Sequence, residues 1–177
     1  ATGGGDGSIR IYRQDTFELT AIFPGLRNVT AICWSPDNAY IAAGDAASRI
    51  LVWQVATGQV VRQWDFGSRK NTGISSLAWS PVGNAIAAGV PGQVVVSDLE
   101  TSSAPTVVDQ VDGGAVAWSR DGLRLASVGS DGMLKVRESE SGRLIAQAKT
   151  IEKLLTSIAW SADGRFLVTS AIASGTQ

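Results

Sequence analysis

One short pattern, an apolar run closing on Trp-Ser and followed by a turn, occurs four times in the 177 residues. The copies are Ala31-Ile32-Cys33-Trp34-Ser35-Pro36-Asp37, Ser76-Leu77-Ala78-Trp79-Ser80-Pro81-Val82-Gly83, Ala115-Val116-Ala117-Trp118-Ser119-Arg120-Asp121-Gly122 and Ser157-Ile158-Ala159-Trp160-Ser161-Ala162-Asp163-Gly164. With tryptophans at 34, 79, 118 and 160, the steps are 45, 39 and 42 residues. A period of about 40–45 residues marks a repeated supersecondary unit that cannot bury its apolar face alone and must stack on its neighbours.

Each copy reads as four short strands. After Trp-Ser comes a turn of Pro, Asp, Asn or Gly, residues that supply turn backbone angles or bond their own backbone. A small-residue strand follows, as in Tyr40-Ile41-Ala42-Ala43-Gly44, Ala85-Ile86-Ala87-Ala88-Gly89, Arg124-Leu125-Ala126-Ser127 and Phe166-Leu167-Val168-Thr169-Ser170. The third strand is rich in β-branched residues (Arg49-Ile50-Leu51-Val52-Trp53, Gln93-Val94-Val95-Val96). A Thr57-Gly58 or Ser141-Gly142 turn then leads to a fourth, such as Gln59–Trp64. Short strands at even spacing with turn signals predict an all-β chain. Ile151–Leu155 is the only helix candidate and is too short to stand alone. The recurring Asp37, Asp121 and Asp163 are expected to brace tight turns.

These features resemble the WD40 repeat family. The match spans nearly the whole chain and includes Asp6-Gly7-Ser8-Ile9-Arg10-Ile11-Tyr12, similar to the family's Asp-Gly-Thr-Ile-Arg-Leu-Trp strand. The resemblance implies a β-propeller, with small second strands crowding near its axis and the tryptophans packed between blades. Two departures matter. With no histidine, the family's Gly-His pair and its Asp-His-Ser-Trp hydrogen-bond network cannot form. The Trp-Asp dipeptide is replaced by Tyr12-Arg13, Trp53-Gln54, Ser97-Asp98 and Arg137-Glu138, and the literal Trp64-Asp65 falls on the fourth strand. The blades are therefore expected to depend on packing more than on that polar network.

Against the repeat, the chain divides into a half blade 1–25, blades 26–66, 73–111 and 114–150, and a half blade 156–171. The first half blade carries strands three and four at Ser8–Tyr12 and Phe17–Phe23. The last carries strands one and two at Thr156–Ser161 and Arg165–Ala171. An open arc exposes apolar faces and strand edges. Three arrangements resolve this: a homodimer forming an eight-bladed ring, completion by the remaining blades of a longer chain, or closure alone as four blades.

The chemistry of the chain narrows function. Without histidine, Ser-His-Asp, Cys-His and His-metal sites are excluded, and the one cysteine, Cys33, cannot build a thiolate metal site. Cys33 lies in an apolar run and reads as a small core residue. Gly3-Gly4-Gly5-Asp6-Gly7 lacks the Gly-Lys-Ser/Thr of a phosphate loop and precedes a strand. Glu138-Ser139-Glu140-Ser141 only faintly echoes a calcium loop, and Asp15 and Glu18 read as solvated charges. No catalytic residue, metal or cofactor is expected. Hydrophobic residues at 44%, charged residues at 18% and a net charge of −1 fit a packed domain with no general pull toward nucleic acid or acidic membranes. No apolar run is long enough for a membrane helix. Cysteine use and the lack of an evident leader make a cytoplasmic protein the expectation. What remains are the loops. The resemblance implies a non-catalytic protein-interaction scaffold that binds through one face, with Arg27, Arg49, Arg69, Lys70 and Lys153 as candidate contacts. Binding of nucleic acid or another anionic ligand by those cations is the alternative.

Overall fold

The computed structural model describes residues 1–67, 73–101, 103–111, 114–151 and 154–172. Seventeen strands and no helix are found among them. The first sheet holds β1 (Thr2–Gly3), β2 (Ile9–Tyr12) and β3 (Leu19–Phe23). The second holds β4 (Val29–Trp34), β5 (Tyr40–Asp45), β6 (Arg49–Gln54) and β7 (Val60–Asp65). The third holds β8 (Ser76–Trp79), β9 (Ala85–Val90), β10 (Gln93–Asp98) and β11 (Thr106–Asp109). In the fourth are β12 (Ala115–Trp118), β13 (Arg124–Val128), β14 (Met133–Glu138) and β15 (Leu144–Lys149). The fifth has β16 (Leu155–Trp160) and β17 (Leu167–Ala171). Every sheet is an antiparallel meander. Two strand starts differ from the sequence expectation by two residues, the others by at most one. Phe17 sits in a turn with φ of 55° and is exposed, so β3 begins at Leu19. Arg165 and Phe166 belong to a turn, so β17 begins at Leu167.

The four cores lie between sheets, which is the propeller arrangement. Successive residues of one strand point to opposite faces. On β5, Ile41 and Ala43 pack with Ile9, Phe23 and Trp53 toward the first sheet, while Ala42 packs with Ile74, Leu77 and Trp79 of the third. β9 repeats this: Ile86 and Ala88 face the second sheet and Ala87 faces Val116 and Leu125 of the fourth. Ala126 and Val128 then face Leu155 and Ile158 of the fifth. A strand buried on both faces needs side chains that fit two narrow gaps, which explains the Ala-Gly run. At Gly44 a Cβ would lie 2.4 Å from the Ile74 side chain, and at Gly89 one would lie 2.0 Å from the Gly114 carbonyl oxygen.

Polar bonds stitch each sheet to the next. The Thr30 hydroxyl donates to the Ile74 carbonyl at 2.6 Å, and the Ser75 hydroxyl donates to the Gly114 carbonyl at 2.7 Å. The Trp118 indole N–H donates to the Ala78 carbonyl at 3.0 Å, and that of Trp160 to the Ala117 carbonyl at 3.1 Å. Tyr40 stacks on Trp79 with ring centroids 6.2 Å apart, and the Arg124 guanidinium lies over Trp160 at 5.1 Å. The tryptophans thus pack between sheets, as the resemblance implied. The innermost strands touch in series: β1 with β4, β4 with β8, β8 with β12, β12 with β16.

The Trp-Ser turns show why Ser and Asp recur. Ser35 Oγ accepts from the Tyr40 N–H at 2.9 Å and donates to Asp37 Oδ1 at 2.6 Å. Ser119 and Asp121, and Ser161 and Asp163, repeat the arrangement. Where Val82 replaces the aspartate, the Ser80 hydroxyl turns to the Val82 carbonyl at 2.6 Å.

Candidate interaction surface

At one end of the second sheet, Asp45 gathers the loops. It closes β5 and is fully buried. Its Oδ2 accepts from the Arg27 backbone N–H at 2.9 Å and from Arg49 Nε and Nη2 at 3.0 and 2.7 Å. Its Oδ1 accepts from the N–H groups of Ala47 and Arg49, both at 2.9 Å. Burial alone would push the Asp45 carboxyl up. The Arg49 and Arg27 N–H groups and the Arg49 guanidinium outweigh it and hold the carboxyl below its ordinary range. One carboxylate therefore fixes the β5–β6 hairpin and the loop that crosses from β3 to β4.

A second cluster joins the third and fourth sheets. Asp109, at the end of β11, accepts from Lys135 Nζ at 3.0 Å, Arg137 Nη2 at 3.3 Å, Ser127 Oγ at 3.1 Å and the Gln110 N–H at 2.9 Å. Here too burial acts to raise the carboxyl, and Lys135 and Arg137 prevail and lower it. Lys135 also lies 3.6 Å from Asp131. On the first sheet, a side-chain bond from Arg10 and the Ser8 N–H bring exposed Asp6 down to about 2. All these carboxylates are held ionised, the reverse of what a general acid needs.

The sequence candidates distribute unevenly. Arg27 and Arg49 meet at Asp45, but in different roles. Arg27 uses its backbone and leaves an exposed side chain, whereas the Arg49 guanidinium is committed to Asp45. Arg69, Lys70 and Lys153 lie outside the described residues. The Glu138–Ser141 stretch is a turn in which the Ser141 hydroxyl and Arg143 both donate to Glu138. Among the described residues, no group of three His, Cys, Asp or Glu side chains is placed to hold a metal ion. Burial pushes the Cys33 thiol up to about 12. Asp109, Lys135 and Arg137 were not anticipated. Lys135 and Arg137 stand two apart on one strand, so they share a face, but their acceptor lies 26 and 28 residues away in another sheet. The chain is thus not held by packing alone: where histidine is missing, arginine, lysine and backbone N–H groups supply the donors.

Comparison with known proteins agrees with this architecture. Residues 1–80 and 105–163 match the model of the anaphase-promoting complex subunit 4 WD40 domain family. The WD repeat-containing protein SL1-17 of Schistosoma mansoni is 32% identical over 149 residues, covering 79% of this chain and 46% of that protein. Cell division cycle 20.1, cofactor of APC complex, of Arabidopsis thaliana is 30% identical over 128 residues, covering 68% of this chain and 26% of that protein. The chain thus spans less than half the length of each of these relatives. In fold, it is similar to the β-propeller domain of Cps50 (Swd1) from Myceliophteria thermophila, with a TM-score of 0.84 and 18% identity over 96% of this chain and 57% of that one. Repeat, radial sheets and matched residues agree: the chain belongs to the WD40-repeat β-propeller family.

Proposed function

We propose that this chain is part of a non-catalytic protein-interaction scaffold that binds its partner through the loops at the Asp45 end of the sheets. The observation that carries this reading is the Asp45 cluster: a buried carboxylate locks two loops together and leaves the Arg27 side chain presented to solvent. Rigid loops lose little freedom on binding, and arginine is enriched where interface energy concentrates. Relatives named as a cofactor of the APC complex and as an initiation factor subunit support a role inside assemblies. The test is affinity capture followed by reconstitution with the purified partner. Arg27→Glu should weaken that partner at least tenfold while leaving the unfolding temperature in place. An unchanged affinity rejects this face, and retention of RNA in place of protein, lost with added salt, favours the anionic-ligand reading.

We infer further that the arc is completed by additional blades, from a second copy or from further sequence of a longer chain. Phe166 occupies the position that Tyr40 and Arg124 hold above the next tryptophan, yet it is 66% exposed. All six residues of β15 are exposed as well. The mass in solution tests this: a cooperative monomer near 18.4 kDa rejects the paired ring.

A further inference from the structure

The sheets pass recurring contacts from one to the next. A hydroxyl on the first strand crosses to a neighbouring carbonyl, Thr30 to Ile74 and Ser75 to Gly114. The residue that opens the second strand covers the next tryptophan, Tyr40 over Trp79 and Arg124 over Trp160. Two residues on, Ala42, Ala87 and Ala126 are buried against the following sheet. On the fifth sheet these positions are Thr156, Phe166 and Val168, and none is answered. The Thr156 hydroxyl reaches only Ser170 of its own sheet. Phe166 meets only the guanidinium of its neighbour Arg165 among the described residues, and Val168 is exposed.

The first sheet shows the reverse deficit. Beside β4 stand only the two residues of β1, which pair with β2 as second strands pair with third. Among the described residues, the Trp34 indole donates to no carbonyl and no ring or guanidinium covers it. Tyr12 holds the position from which Trp53 stacks on Phe23 of the preceding sheet, yet it is exposed. Phe17 is the sharpest sign. Its place in the hairpin is glycine in the second and fourth sheets, Gly58 and Gly142, both at φ of 69°. A bulky residue in that left-handed region is strained, and Phe17 adopts it at φ of 55° with its ring in solvent. A Cβ on Gly58 would lie 3.4 Å from the Phe23 ring, so this position looks onto the outer strand of a preceding sheet.

We propose that a second copy of this chain answers both deficits, with β16 and β17 of each copy joining β2 and β3 of the other in one four-stranded sheet. This rests on the reading that further blades complete the arc, and it names their source. The register follows from the other sheets. Gly44 lies opposite Ile50 and Gly3 opposite Ile9, and Ser170 holds the place of Gly44. So β17 displaces β1, with Ser170 opposite Ile9 and Thr169 opposite Arg10. A side chain fits at that place, since Val128 occupies it in the fourth sheet against Leu155. Phe166 then covers Trp34, and Thr156 meets the Val29 carbonyl, the counterpart of Ile74. Tyr12 and Phe17 face β15 of the second copy, a strand exposed along its whole length. A second copy fits because each unmet contact at one end of the chain has its complement at the other. Strand addition also satisfies the free edges of β2 and β17.

The test is sedimentation equilibrium of the full chain, which should give twice 18.4 kDa. Phe166→Asp should weaken pairing about tenfold or more without lowering the unfolding temperature of the single copy, whose Phe166 is exposed. Phe17→Gly should weaken pairing too, although it relieves strain within each copy. Under oxidising conditions, Arg10→Cys mixed with Thr169→Cys should give a disulfide-linked pair, and neither variant alone should. A monomer at every concentration, open polymers, a pair indifferent to Phe166→Asp, or no disulfide in the mixture overturns the proposal. A monomer leaves completion of the arc by further sequence standing, which separates this inference from the reading beneath it.

Discussion

Replacing Asp45 with asparagine removes a charge and almost no volume, so its cost measures the cluster rather than the packing. Oδ2 receives three donors, the Arg27 N–H and two nitrogens of Arg49, and Oδ1 receives two backbone N–H groups. An amide can present its oxygen to only one of these sets, so its own NH₂ must face the other set of donors. Hydrogen bonds to a charged group contribute about 1.5–3 kcal/mol each, and a buried donor left facing a donor costs about 1–3 kcal/mol. The Arg49 side chain is 26% exposed and regains some water, which discounts its share. The net loss for Asp45→Asn should be about 2–4 kcal/mol. Arg49→Gln removes the cation but leaves the three backbone donors on Asp45, and should cost about 1 kcal/mol. Urea unfolding followed by tryptophan fluorescence reads both. The pH dependence fixes the sign. The folded Asp45 carboxyl sits below its unfolded value. Its stabilisation is therefore fully present above an ordinary aspartate pKa of about 4, and is lost as pH falls through the lower folded value. The gap between wild type and Asp45→Asn should stay constant from neutral pH to about 4 and narrow below it. A difference under about 0.5 kcal/mol at neutral pH, or a gap that closes between pH 8 and 6, would refute the cluster as the anchor of these loops.

Gly89→Ala should destabilise by about 3 kcal/mol or more, since its Cβ would press to 2.0 Å from the Gly114 carbonyl, and backbone cannot swing aside as a side chain can. Gly142→Ala, where nothing lies within 4 Å but φ is +69°, should cost only about 1–2 kcal/mol, and equal losses in urea melts would contradict the close approach of the sheets. Cys33 should resist thiol reagents in the native state and react once urea unfolds the chain; fast labelling at neutral pH would show that its surroundings are open.

Much of the architecture was legible because the repeat writes it four times. The Trp-Ser pairs located the first strands, and the small residues of β5, β9 and β13 foretold strands pinched between two sheets. The aspartates at 37, 121 and 163 had their bracing role readable from position alone, because an Asx turn is a local event. The candidate sites were legible only in part. Arg49 looked like a free loop cation because its partner Asp45, four residues earlier across a hairpin, had no reason in sequence to be buried. The Asp109 cluster was invisible for a different reason: its donors come from the next sheet, and no spacing rule joins them.

The stitches of Thr30, Ser75, Trp118 and Trp160 run only to adjoining sheets. Cohesion in such a molecule behaves like a row of clasped hands, each grip independent of those further along. Amide protons in β9, held from both sides, should exchange among the slowest with deuterated solvent, and those in the exposed outer strand β15 much sooner. Each sheet would then yield at its rim first, with the strands pinned between two neighbours as the last refuge of order.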